Sequence, residues 1–227
     1  LGCTGAEFVD RFAVRLAELG VTVITGDGAR RVTTVDGAVR GVCLASGRRL
    51  TAPQVVLSVH PKQAVDLFDH DPALTALAPR LLALPESYSA SMAFALVDAR
   101  SAPVRAHNTY LFGDRRRLWF QIAPSGREGK NLLAVVAGDD YANWRRWEGT
   151  TTGERGPAYL DAKAALGEQL LADVRGAATI EGVEWLDVLT PLSFRDWVGS
   201  FEGSLYGISR GGLALAGLNR CGVGGLR

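Results

Sequence analysis

Asp36-Gly37, set between the β-rich runs 31–35 and 38–44, constrains this chain more than any other feature. Two residues between two such runs leave room only for a tight hairpin turn. Asp-Gly supplies the positive backbone angles that turn requires. Ser46-Gly47 repeats the signal, and residues 48–51 read as a third strand. The segment 31–51 is therefore expected to be a small antiparallel meander. Ahead of it, Thr4 and Glu7 fit a capping box, and Phe8, Phe12, Leu16 and Leu19 fall on one helical face. Gly20 suits the left-handed residue that ends a helix. Residues 21–24 read as a short buried strand, and 54–59 as an apolar strand running into His60-Pro61.

Beyond Pro61 the pattern is helical to residue 84, broken at Asp71-Pro72. Residues 89–97, 109–112, 118–122 and 132–137 read as strands, with turns at Gly113-Asp114 and Ser125-Gly126. Gly156-Pro157 opens a helix on which Leu160, Ala164, Gly167 and Leu171 share a face. Residues 180–189 read as a last strand before Thr190-Pro191. This order predicts a mixed α/β (α+β) chain in two parts. Residues 1–60 pair a helix with a meander. Residues 61–189 carry a mixed or antiparallel sheet with covering helices. The tail from 190 is expected to return to the first part.

Composition excludes several classes. Among 227 residues, 25 basic and 24 acidic side chains leave a formal charge of +1, so no electrostatic case exists for nucleic acid. No apolar run approaches the roughly 18 residues of a membrane span. Peripheral membrane contact needs only a patch and is left open. Cys3, Cys43 and Cys221 are scattered and odd in number, which fits neither a disulfide framework nor a zinc site. No metal is expected, and the expected location is cytoplasmic, with membrane association open. The absence of GxSxG and HExxH patterns argues against hydrolase and metalloenzyme classes. The chain begins at Leu1 without Met and stops at Arg227 after a glycine-rich run, so it is expected to be a piece of a longer protein.

Three stretches carry a family resemblance. The first is Leu16, Gly20, Val21, Val23, Gly26, Ala29 and Val32, continued by Gly41, Val42, Leu44, Gly47, Ala52, Val55, Val56, Ser58 and Pro61. The second is Thr190, Pro191, Ser193, Trp197, Gly203, Ser204, Tyr206 and Gly207, the most specific of the three. The third is residues 212–217 followed by Gly222, Gly224 and Gly225. In order and spacing these resemble flavoproteins of the amine-oxidase superfamily, in the branch of phytoene desaturases, carotenoid isomerases and retinol saturases. Residues 62–189 match only in outline. The GxGxxG unit that cradles the FAD pyrophosphate in such enzymes has no counterpart here. Leu218 and Asn219 stand where the closing motif usually carries Asp, Glu or Gln.

The resemblance implies an incomplete FAD/NAD(P)-binding-type domain over 1–60 and 190–227, with a substrate domain over 61–189. It implies FAD as cofactor in the full-length protein and an upstream strand, GxGxxG turn and helix. Cofactor-binding positions would be Val32, Ser58, Pro61, Gly203, Gly207, Gly217, Gly222 and Gly224. Trp197 and Tyr206 would contact the substrate. Each has a plainer alternative. Val32 also reads as a β-branched core residue, Ser58 and Pro61 as a strand-to-helix turn, and Gly203–Gly207 as a tight turn. His60 could carry a proton, but no partner motif accompanies it. Trp144 and Trp147 around Arg145-Arg146 could bind an anion or a membrane surface, or form an amphipathic helix with snorkelling arginines.

The activity the resemblance implies is addition or removal of hydrogens across a carbon-carbon bond of a polyprenoid or carotenoid-like, apolar small molecule. A catalytic residue is not assigned, because the flavin carries such chemistry and the protein supplies orientation and a dry cavity. Two alternatives stay open: a flavin-dependent isomerase, and a cofactor-free binding remnant without activity.

Overall fold

The computed structural model describes residues 5–68, 72–113 and 116–209. These form two compact units, the first holding 5–57, 65–68 and 72–77, the second 58–64, 78–113 and 116–209. The tail from 190 was expected to group with the first sixty residues. Residues 190–209 group instead with the larger sheet, because their backbone hydrogen-bonds to residues 85–88, which lead into its strand over 89–98. Gly217, Gly222 and Gly224 lie outside the described residues, as do Leu218 and Asn219.

In the first unit, α1 (Gly5–Glu18) forms as its spacing predicts, and Gly20 follows it at φ 73°. β1 (Ala29–Val35), β2 (Ala38–Leu44) and β3 (Arg49–Thr51) make the expected antiparallel meander. Asp36 and Gly37 both take positive φ, 51° and 70°, which matches the turn to the right-handed twist of the strands it joins. Val32, Val39 and Val55 are buried, with Leu57, Leu67 and Phe68 packed against them. Phe68 bridges Val32 in parallel fashion. Two expected strands are absent. Residues 21–24 have no ladder, and in 54–59 only Val55 makes a bridge. A strand exists through its partner's hydrogen bonds, and among the described residues nothing pairs along these runs. Phe8, Phe12 and Leu19 share one side of α1 or its end, yet they are exposed.

The second unit is built on a five-stranded antiparallel sheet in the order β5-β6-β7-β4-β8. Its strands are β4 (Ser89–Asp98), β5 (Thr109–Phe112), β6 (Arg117–Pro124), β7 (Lys130–Asp139) and β8 (Glu184–Leu189). β4 and β7 pair along their whole lengths, from Ser89 opposite Asp139 to Asp98 opposite Lys130. Alternation sorts the side chains onto two faces. Ala93, Ala95 and Val97 of β4, Leu118, Phe120 and Ile122 of β6, and Leu133, Val135 and Ala137 of β7 form one buried face.

That face is closed by α4 (Pro157–Arg175), which starts with Pro157 at its first turn, where a missing N–H costs nothing. α4 buries Tyr159, Gly167, Leu170, Leu171 and Val174. Leu160, expected on the inner side, is exposed. The packed stripe therefore lies about one residue away from the one read off the sequence. Gly167 lets the helix approach β8, since a Cβ there would stand 3.0 Å from a Val188 methyl carbon and 3.4 Å from the Trp185 ring.

Residues 61–84 break where Pro72 predicts, into α2 (Pro61–Ala64), a short 3-10 turn and α3 (Pro72–Leu82). α5 (Pro191–Val198) is capped by Thr190 and Ser193, each accepting a backbone N–H of the other. Trp144, Trp147, Tyr141, Tyr159 and Leu192 form a second buried cluster. Arg145 and Arg146 point out of it. The aromatic-basic cluster is thus aromatic inside and cationic outside, on 3-10 turns rather than an α-helix. The buried Arg155 pairs with Asp196 of α5 and donates to the Thr150 hydroxyl. Burial pushes the Asp196 carboxyl up, but the Thr152 hydroxyl and the Arg195 and Arg155 guanidiniums outweigh it and hold it below the usual carboxylate value.

Candidate functional site

The opposite face of the five-stranded sheet is not filled by its own side chains. It bears a hollow of about 720 Å³ lined mainly by apolar groups, within the roughly 300–1,000 Å³ of small-molecule sites. Strand register explains its shape. Tyr110, Trp119, Val136 and Met92 stand in one row across β5, β6, β7 and β4. In the next row Phe112 opposes Arg117, and Gly138 opposes Ala90. Small residues at Gly138 and Ala90 leave the floor low between aromatic walls. A Cβ built on Gly138 meets nothing within 4 Å, so the missing side chain is space rather than backbone necessity.

The upper wall comes from residues 203–209. Ile208 bridges Glu86 and Ser204 bridges Ser89, both antiparallel. Leu205 N–H donates to the Tyr88 carbonyl, Ser87 N–H to the Gly207 carbonyl, and Ser209 N–H to the Pro85 carbonyl. This strap brings Tyr206 edge-on to Tyr88, ring centroids 5.6 Å apart. Both rings line the hollow. Partial desolvation, then the neighbouring Tyr206 phenol, hold the Tyr88 hydroxyl above its ordinary value of 10.0, so it stays protonated at neutral pH.

A buried ionisable group fastens the strap's surroundings. Glu86 Oε2 lies 2.9 Å from His60 Nε2, and Lys62 Nζ lies 2.8 Å from Glu86 Oε1, with side-chain exposures of 6–8%. The Lys62 contact is an ion pair without an aligned hydrogen bond. The Lys62 N–H donates to His60 Nδ1, which assigns the ring proton to Nε2, where it donates to Glu86. Phe201 stacks on His60 at 6.0 Å and lies under the Lys62 ammonium at 4.6 Å. A Cβ at Gly207 would stand 3.5 Å from the His60 ring, and Gly207 itself has φ 67°.

The sequence-derived positions scatter over this frame. Tyr206 lies in the hollow. Trp197 does not. It is 77% exposed on α5 and borders a separate, smaller hollow with Tyr159 and Lys163. Val32 turns its side chain into the core of the first unit. Ser58 is exposed and Pro61 begins α2. Gly203 has φ 61°, and a Cβ there would collide with the Pro191 carbonyl oxygen. Its demand for glycine is met inside the chain; that of Gly207 is its own positive φ, since a Cβ there would make only ordinary contact with His60. Arg117, Trp119, Met92 and Gly138 were missed. β6 alternates only in part and β7 is a continuous apolar run, so neither says which face is left open.

Whether these residues fit a flavin nucleotide has a clear answer. A phosphate cradle needs a glycine-rich strand-to-helix turn, and the described residues contain none. Gly203 is accounted for by the Pro191 carbonyl and Gly207 by its left-handed backbone. The described residues therefore do not make a flavin site by themselves. They also hold no group of His, Cys, Asp and Glu suited to a metal, and no helix among them is long and apolar enough to cross a membrane.

No family model matches this sequence, and no curated protein sequence matches it. Solved structures do. An oxidoreductase from Methanosarcina mazei superposes with a TM-score of 0.60 at 14% identity, over 96% of this chain and 46% of its own. The chain therefore shares the fold of that protein and spans less than half its length. A glycine oxidase from Bacillus cereus reaches a TM-score of 0.42 at 16% identity, over 79% of this chain and 40% of its own. A flavin-dependent halogenase from Brevundimonas reaches 0.38 at 11%, over 78% and 30%. At those scores the last two add nothing about this fold.

Proposed function

We propose that the full-length protein is an FAD-dependent oxidoreductase that adds or removes hydrogens across carbon-carbon bonds of an apolar, polyprenoid or carotenoid-like substrate. The observation that carries this is the hollow on the open sheet face, apolar on a scale suited to such a chain and walled by Tyr206, which the motif resemblance had singled out. The shared fold with an oxidoreductase supports it. Flavin, when bound, would supply the redox chemistry. This chain's part is to hold an apolar molecule against the sheet, exclude water from it, and set its depth through Gly138 and Ala90. Phosphate-binding elements would come from outside the described residues, and the first unit would form part of the cofactor domain.

The test is made on the complete natural protein. It should carry the visible absorbance of oxidised flavin and turn over members of a polyprenoid panel, and Tyr206→Ala should raise KM more than it lowers flavin content. Flavin without turnover on any polyprenoid would remove the substrate assignment. A colourless, ligand-binding protein would favour the binding-only reading.

A further inference from the structure

The hollow is not uniform along its length. Its Tyr110–Trp119–Val136–Met92 row is apolar apart from ring edges. The next row carries Arg117, and Tyr88 and Tyr206 line the same hollow. Arg117 and Trp119 are two residues apart on the same face of β6, about 7 Å by strand rise. Charge and apolar surface therefore lie within one small ligand's length.

Arg117 is the charged side chain on this face, since Asp139, next to Gly138 on β7, turns to the opposite one. Asp139 is taken up by the chain, accepting from the Ser91 hydroxyl, Asp140 N–H, Asn143 Nδ2 and Trp144 Nε1. Arg117 is exposed and has no ion pair or hydrogen bond among the described residues. Its neighbour Arg116, by contrast, is held by Asp173 and Gln169. A guanidinium offers a planar fork that matches a carboxylate, and Tyr88 and Tyr206 line the same hollow.

We propose that the hollow takes an amphiphile with an anionic head, its hydrocarbon chain over the Trp119–Val136–Met92 row and its head on Arg117. This rests on the reading of the hollow as the substrate site and adds the headgroup to it. A purely hydrocarbon ligand would leave the exposed Arg117, Tyr88 and Tyr206 to solvent and draw no affinity from them. A charged head turns the same groups into partners.

The experiment compares dodecanoate with dodecanol, both below their aggregation limits, by calorimetric titration of this chain at neutral pH, where the acid is ionised. The carboxylate should bind about ten- to a hundredfold more tightly, the size of a charge-assisted hydrogen bond. Arg117→Gln should abolish that preference and leave dodecanol affinity unchanged. Gly138→Leu, which fills open space without straining the strand, should abolish binding of both. Equal affinities, with both lost in Gly138→Leu, would overturn the headgroup assignment and leave the hollow standing. Equal weakening of both ligands by Arg117→Gln would overturn it too, since Arg117 would then act by packing. Binding of neither would overturn the headgroup and the hollow together.

Discussion

The two faces of the five-stranded sheet are made by the same strands, one residue out of step, and they end in opposite conditions. Phe120 is fully buried under α4, while Trp119, its neighbour in sequence, stands half-buried at the hollow. On the closed face volume is conserved by interlocking side chains. On the open face small residues at Gly138 and Ala90 leave volume unused. A single strand can thus carry stability on one side and ligand space on the other, because a period of two separates the two demands.

The sharpest way to break this comparison is to truncate both neighbours. Phe120→Ala should cost about 3–5 kcal/mol, as large-to-small core changes do. Trp119→Ala should cost about 1 kcal/mol or less, as for substitutions outside the core. Urea unfolding read by circular dichroism measures both. Equal losses would mean that the open face is packed as tightly as the closed one.

Glu86 sharpens the comparison at the rim of the open face. Glu86→Ala leaves the Lys62 ammonium buried without its carboxylate, which should cost about 3 kcal/mol and loosen the strap that carries Tyr206. Amide hydrogen exchange at Leu205 and Ser209 reports the strap, whose N–H groups donate to Tyr88 and Pro85. Lost stability with unchanged protection there would show that the ionisable group does not hold it.

The smallest effect lies just ahead of α4, where Arg155 meets Asp196 of α5. A carboxylate whose folded value is lowered binds protons less readily than in the unfolded chain. Its stabilisation is full above the ordinary value of 3.8 and is lost as pH falls below that through the folded value. Asp196→Asn should therefore be less stable than the parent at neutral pH, and the gap should close toward the acid end. A gap that stayed constant with pH would deny the pairing a titrating role.

Much of this was legible in the chain, and the failures share a cause. The meander was readable because Asp36-Gly37 is a local instruction, and residues 109–112 emerged with the expected bounds. Residues 21–24 and 54–59 misled because an apolar run says a segment is strand-like without naming a partner, and no ladder forms along them among the described residues. α5 was missed although Thr190 and Ser193 spell a cap with Pro191 at the first helical turn. The site was harder. His60 had no neighbour in sequence to give it meaning, since its partner Glu86 stands 26 residues on. Trp197 and Tyr206 share a motif, but Gly199 turns the chain in a left-handed conformation between them.

The sheet's strand order also dictates how it must be assembled. β5, β6 and β7 follow one another as a local meander and can pair without waiting for the rest of the chain. β4, made earlier, sits between β7 and β8, and Met92 meets Leu189 across almost a hundred residues. Until β8 emerges from the ribosome, the apolar β4 presents one bare edge, the kind of edge on which chains aggregate. Any shortened version of this region ending before residue 184 keeps that edge permanently. Such a piece should need a chaperone or a covering partner to remain in solution.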